Sequence, residues 1–351
     1  MRVGIVGYGS LGQFLCEKVL EEGTAASEID IVWVWNRTAS KVVGLPQTVK
    51  VLQDLEADYF SLLENGNKGG DEEAAKAVAV DLIVEVAHPD LSNQYAVRFL
   101  QFADYYMGSP TAMANAELYE KLQTAAKSEA VKGSLYLPVG ALWCASDLQR
   151  MAELGTLKRL CVTMKKHPKS LKLTPGTELA EKLENIIAQG DTTSSSAPAC
   201  SSSGVGADEK STTASPTSTD PEVATANGVV EPASSSIKLK PGEHVIFHGS
   251  VRELCPLAPN NVNTMACAAI AGSNLGFDKT EARLVADYNL TTEHVIDIRV
   301  DGPDGFFVEC TRVNPAKVGA VTGQQTYLSF LHSLRKCCVA IQGKQNGVFF
   351  C

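Results

Sequence analysis

The sequence predicts an α/β fold: a doubly wound parallel sheet followed by a second, α+β domain with a mixed sheet. Three observations carry that expectation. A glycine-punctuated turn directly follows an apolar strand at the start of the chain, strand-like and helix-like segments alternate to about residue 145, and strand-like segments return after a long stretch without core-forming residues. The chain has 351 residues and 44% hydrophobic content, enough for two cores, because single cores stop growing at roughly 250–300 residues.

The first strand, Arg2-Val3-Gly4-Ile5-Val6, runs into Gly7-Tyr8-Gly9-Ser10-Leu11-Gly12 and then into an amphipathic stretch ending near Glu22. A second strand, Ile29 to Trp35, follows at the spacing of a strand–helix–strand unit. Glycines in this spacing and context form a dinucleotide-binding fingerprint and predict a Rossmann-type first domain. Gly7 permits the tight turn, Gly9 lets a pyrophosphate approach the backbone, and Gly12 lets helix pack on strand. The free N–H groups where the helix starts, at Ser10 and Leu11, face the phosphates. The expected cofactor is NADP or NAD. NAD-selective sites end the second strand in a carboxylate that binds the ribose 2′-hydroxyl, whereas this chain has Trp35-Asn36-Arg37. Asn36 can donate to a 2′-phosphate and Arg37 can pair with it through its planar fork, which favours NADP.

The strand Asp81 to Val86 ends in Ala87-His88-Pro89, and a helix from about Ser92 to Phe102 leads to a short strand at Tyr105-Tyr106-Met107. Ligands of parallel sheets lie beyond the carboxyl ends of the strands, so Ala87 and the segment 108–114 are expected beside the nicotinamide. A helix from Glu117 to Lys132 and a strand at Leu135-Tyr136-Leu137 complete a dinucleotide-binding domain over 1–145. Residues 146–189 and 237–320 are expected to form a substrate or oligomerisation domain, with strands at Leu160–Lys165, His244–Gly249, Glu281–Ala286, His294–Val300 and Phe306–Arg312. Its helix, Val262 to Leu275, has Asn263 placed as the N-cap. Between these parts, 190–236 contains no Leu, Ile, Met or aromatic residue, the mark of a disordered low-complexity insert. Residues 321–351 hold a helix from Gln325 to Ile341 and a tail, expected to pack back on the first domain.

Net charge is −9, from 40 acidic against 31 basic residues, and no Lys/Arg run exceeds two residues such as Lys165-Lys166. That balance argues against nucleic acid as a partner. Met1 leads directly into the first strand without a signal-peptide pattern, and no apolar run approaches the roughly 20 residues that span a bilayer, so a cytoplasmic location without membrane association is expected. The ten cysteines are scattered apart from Cys337-Cys338 and form no CxxC pair, which predicts reduced thiols and no metal site.

Three stretches are dense in polar groups: Phe247 to Asn263, Ala286 to His294, and Arg312-Val313-Asn314-Pro315-Ala316-Lys317. Together with Ser109-Pro110-Thr111-Ala112-Met113, with Pro138-Val139-Gly140-Ala141-Leu142 and with Asp147, they resemble the L-aspartate dehydrogenase family over nearly the whole chain outside the insert. The resemblance implies NAD(P)-dependent oxidative deamination of L-aspartate to iminoaspartate, then to oxaloacetate and ammonia. It also places Ala112 and Asn263 at the nicotinamide and His294 at the family's active-site histidine. A histidine suits this chemistry: the substrate amine must lose a proton before hydride leaves, and water must then attack the imine, so a base with a near-neutral pKa is useful twice. Two substrate carboxylates need fixed cations or N–H donors. Arg252, Arg312 and Lys317 are the candidates, with Arg252 and Lys317 expected at the substrate. The chain departs from the family pattern at Val139, where a hydroxyl residue is usual, in Ala258-Pro259-Asn260-Asn261, and in Asn263-Thr264-Met265-Ala266. Two alternatives stay open: an NADP(H)-binding redox sensor without turnover, or a related dehydrogenase with another small substrate. A homodimer through the second domain is expected, because two-fold dimers are the commonest oligomers.

Overall fold

The computed structural model describes residues 1–126, 128, 131–193, 239–341 and 347–351. The expected insert at 190–236 lies outside the described residues from 194 onward, and the helix Glu178–Thr193 crosses its expected start. The strands in chain order are β1 (Arg2–Val6), β2 (Asp30–Trp35), β3 (Lys50–Leu52), β4 (Leu82–Glu85), β5 (Asp104–Met107), β6 (Leu135–Leu137), β7 (Arg159–Lys166), β8 (Glu243–Ser250), β9 (Glu281–Asp287), β10 (Glu293–Asp301), β11 (Phe307–Pro315) and β12 (Val348–Phe350).

One sheet has the order β12-β6-β5-β4-β1-β2-β3 with every pair parallel. The chain leaves β1 in one direction and returns to β4 in the other, so the strand order reverses between these two neighbours. A crevice outside the carboxyl ends of β1 and β4 is the consequence. Both strands are apolar runs because helices cover both faces of the sheet: Val3, Ile5, Val6, Leu82, Ile83 and Val84 are all buried. The helix after β4 begins at Pro89, earlier than expected, because the His88 side chain accepts from the Asp90 N–H and Pro89 supplies the first helical residue. The helix expected over Glu117 to Lys132 is described as Ala116–Ala125.

The second sheet has the order β11-β10-β7-β9-β8, mixed because β7 and β9 are parallel while the other pairs are antiparallel. Strand alternation sends Leu160, Val162 and Met164 of β7 and Ile296, Ile298 and Val300 of β10 to the buried face. The helix Asn263–Ala271 belongs to the same core and is buried at every position from Thr264 to Ala271. A helix apolar on all sides must be enclosed on all sides, and this one packs against the helix Ala145–Glu153 and the turn Pro110–Ala114. One apolar core therefore runs from Val6 of the first sheet to Val300 of the second.

The C-terminal helix Gln324–Ile341 covers the other face of the first sheet, burying Phe330, Leu331, Leu334 and Cys337 with Val3, Ile5, Leu15 and Tyr106. The Tyr106 hydroxyl donates to the Phe330 carbonyl at 3.1 Å. Beyond the helix, β12 pairs in parallel with β6 and becomes the edge strand of the first sheet. Among the described residues, no helix is long and apolar enough to cross a membrane.

Candidate active site

The crevice begins at the glycine turn. Gly7 has φ +113°, and a Cβ there would come within 2.8 Å of the Ala87 Cβ. Its N–H donates to the Trp35 carbonyl at 2.8 Å, which ties the end of β1 to the end of β2. A Cβ on Gly12 would overlap the Gly7 carbonyl oxygen, so the helix Ser10–Glu22 can seat on β1 only through glycine. Around Gly9 the Cβ direction is open, with nothing within 4 Å among the described residues. That helix starts without a side chain on its first N–H groups and without an acidic residue in its first turn. Its exposed donors and the positive end of its dipole therefore fit a pyrophosphate.

Asn36 is more committed than the sequence implies. Its Oδ1 accepts from the Tyr8 N–H at 3.2 Å and its Nδ2 donates to the Thr38 carbonyl at 2.9 Å, so the amide braces the glycine turn and keeps one hydrogen for a ligand. Arg37 beside it is exposed.

Glu85, the last residue of β4, is fully buried. One carboxyl oxygen accepts from the Ala87 N–H at 2.7 Å and the Ser109 hydroxyl at 3.0 Å. The other accepts from the Ser109 N–H at 3.0 Å and the Ser92 hydroxyl at 3.3 Å. Burial pushes its pKa up to about 7 against the pull of these donors.

Beyond this carboxyl lies a cavity of about 190 Å³ whose walls include Leu11, Ala87, Ser109, Lys166, Asn263 and His294. His294 shares the strand parity of Ile296, Ile298 and Val300 and therefore faces inward, only 4% exposed. Lys166 lies opposite it, one step beyond the Val295–Lys165 pair, and Asn314 is its partner on β11. Lysine, histidine and asparagine thus form a row across β7, β10 and β11. Lys166 is likewise 4% exposed; its ammonium donates to the Val321 carbonyl at 2.8 Å and reaches the Asn261 Oδ1 at 3.5 Å. Burial pushes its pKa down to about 7. The His294 Nε2 is buried and makes no hydrogen bond among the described residues, while the Ala320 backbone hydrogen-bonds the ring. Burial and the neighbouring Lys166 push the His294 pKa down to about 4, below the near-neutral value expected from sequence.

The structure brings Leu11, Ala87, Asn263 and His294 to one cavity, with Gly7, Gly9, Ser10, Gly12, Asn36 and Arg37 leading away along the strand ends. Asn263 is the first helical residue rather than the cap, because Val262 occupies the cap; its Oδ1 accepts from the Thr111 hydroxyl at 3.2 Å. Ala112 is buried in the turn Pro110–Ala114 and lines a neighbouring cavity of about 610 Å³, which shares Asn260 with the first. Arg252, expected at the substrate, lines that second cavity and not the first: its guanidinium pairs with Asp278, with one N–H···O contact at 2.8 Å, and donates to the Ala114 carbonyl. Lys317, also expected at the substrate, is exposed in the turn after β11 and is not among the residues that line the first cavity. Arg312 donates to the Gly140 carbonyl at 3.3 Å.

Sequence reasoning missed Lys166 and Glu85. A signal existed for each. Lys166 occupies the apolar parity of Leu160, Val162 and Met164, and Glu85 interrupts the apolar run from Leu82 to Val86.

Comparison with known proteins agrees with this arrangement. Residues 7–136 match the family described as homoserine dehydrogenase, NAD binding domain, and residues 210–336 match aspartate dehydrogenase, C-terminal. An aspartate dehydrogenase domain-containing protein of Danio rerio is 38% identical over all of this chain and 98% of its own length. A protein of the same description from Xenopus tropicalis is 35% identical over the same shares. An L-aspartate dehydrogenase of Methanococcoides burtonii is 23% identical over 97% of this chain and 98% of its own. The chain belongs to the aspartate dehydrogenase family, as an NAD(P)-dependent dehydrogenase of a small-molecule substrate.

Proposed function

We propose that the protein catalyses NAD(P)-dependent oxidative deamination of L-aspartate to iminoaspartate and then to oxaloacetate and ammonia. The observation that carries this reading is the unpartnered, buried Nε2 of His294 beside the buried ammonium of Lys166, in a cavity at the carboxyl ends of β1 and β4. The L-aspartate dehydrogenase relatives support the choice of substrate. When bound, the nicotinamide accepts hydride from the substrate Cα. The turn Gly7 to Gly12 holds the pyrophosphate, with the N–H groups of Ser10 and Leu11 at the helix start. Asn36 and Arg37 lie at the adenosine ribose, and Ala87, Ala112 and Asn263 flank the nicotinamide.

With its pKa at about 4, His294 is neutral at pH 7 and its Nε2 lone pair is available. The substrate ammonium holds its proton more strongly than such a base, but a dicarboxylate brings negative charge against Lys166 and His294. Opposite charge raises the pKa of both groups, so substrate binding itself strengthens the base. His294 takes the amine proton and later assists water at the imine carbon. Lys166 pairs with one carboxylate through a charge-assisted hydrogen bond.

The test is nicotinamide absorbance in purified protein given L-aspartate with NAD or NADP, with L-glutamate and L-alanine as controls. The expected result is cofactor reduction that depends on aspartate. In His294→Ala, turnover falls by about 10²–10⁴-fold while cofactor affinity is unchanged. Tight NADPH binding with no turnover on aspartate would sink the substrate assignment and favour the sensor.

A further inference from the structure

We propose that Glu85 is a positioning residue for hydride transfer: its carboxylate clamps the segments after β4 and β5 at the spacing that seats the nicotinamide ring. The inference rests on the nicotinamide cofactor, not on aspartate as substrate.

Ala87 and Ser109 both line the cavity, each just beyond the end of a strand. The last backbone bond between these two strands runs from the Gly108 N–H to the Glu85 carbonyl at 2.8 Å, and among the described residues no backbone bond joins Ala87 to Ser109 beyond it. Glu85 supplies that link: one carboxyl oxygen takes the Ala87 N–H, and the other takes the Ser109 N–H. Backbone N–H groups only donate, so the bracket requires a side chain that accepts at both ends, and a carboxylate is the group that does so. Glutamine would turn its NH₂ toward one of these donors. The Ser109 and Ser92 hydroxyls supply two further hydrogen bonds, and Ser92 is anchored in turn by the Tyr105 hydroxyl at 2.8 Å.

Glu85 is 0% exposed and makes no ion pair among the described residues. A carboxyl buried without a cation is unfavourable unless its lone pairs are used, and here they are used on the N–H groups of the two loops, which an apolar side chain would leave without an acceptor. The carboxyl stands at the reversal of strand order, where the cofactor must lie.

The test compares ligands with and without the nicotinamide in wild type, Glu85→Gln and Glu85→Asp. The pairs are NADH against ADP-ribose, and NADPH against 2′-phospho-ADP-ribose. Kd is measured calorimetrically, and the emission of bound reduced nicotinamide is recorded alongside. In Glu85→Gln the Kd of the reduced cofactor is expected to rise about tenfold. The Kd of the nicotinamide-free ligand should change by less than about twofold, and the emission of bound cofactor should shift toward that in water. Glu85→Asp keeps the carboxyl but shortens the reach by one methylene, so it should show the same split, and it carries the test if the glutamine variant fails to fold. Equal weakening of both members of a pair overturns the proposal, because it marks a general defect of the domain. Unchanged affinities for both overturn it as well.

Discussion

The two ends of the cleft are built from different materials. At the nucleotide end, Gly7, Gly9 and Gly12 offer backbone within a six-residue stretch, and the requirement at Gly7 and Gly12 is that atoms be absent. At the end proposed for substrate, Lys166, His294 and Asn314 offer side chains carried by three strands of the other sheet, and all three are buried. A site made of missing Cβ atoms is intolerant of substitution but indifferent to pH. A site made of buried titratable groups tolerates substitution structurally, yet its chemistry moves with pH and with the charge of whatever enters.

The largest expected effect is at the first end. Gly12→Val drives a branched side chain into the Gly7 carbonyl and should abolish cofactor binding while lowering the thermal midpoint. Titration of NADPH by fluorescence, with calorimetry of unfolding, checks this. Affinity retained within about tenfold would break the contrast.

Lys166→Met is the matching change at the other end. It should weaken dicarboxylate binding by about 10–100-fold and leave the cofactor Kd in place, read as a rise in KM for substrate alone. The same variant tests the pH argument. Burial lowers the Lys166 pKa from 10.5 to about 7, so between these values the unfolded chain binds more protons than the folded one. Wild-type stability contributed by this group therefore rises with pH from about 7 to 10.5 and is lost on returning toward 7. The thermal midpoint of Lys166→Met, followed over the same range, should lack that rise; an identical slope in both proteins would show that Lys166 is not held as described.

Arg37→Ala sharpens the comparison at its mildest point. Arg37 is exposed, so its removal should weaken NADPH by only about three- to tenfold and leave NADH unchanged. Equal loss of both would place Arg37 away from the 2′-phosphate.

How much of this was readable in the chain follows the same division. The strand–turn–helix around Gly7 to Gly12 was readable because its parts are neighbours in sequence. The active-site role of His294 came from resemblance alone, while its burial follows from the parity it shares with Ile296, Ile298 and Val300 in β10. Asn263 was displaced by one position, because the cap depends on the backbone angles of Val262, which composition does not reveal. The partners of Arg252 were not readable, because a cation's partner is a long-range matter: Asp278 and the Ala114 carbonyl hold it as a strut between the two parts of the chain. The edge strand Val348–Phe350 carried no signal, since three residues show no period and β6 alone sets their register.

The amino-acid sequence by itself determined the alternation of strands and helices, the glycine turn, the apolar runs of β1 and β4 and the apolar parity of β10, since these depend on local sterics and on which residues avoid water. Only the tertiary structure decided that Lys166 and His294 face one another, that Glu85 brackets two loops, and that the C-terminal segment completes the first sheet. The physical reason is that a titratable side chain takes its properties from burial and from its neighbours, and both are settled only when distant segments pack together.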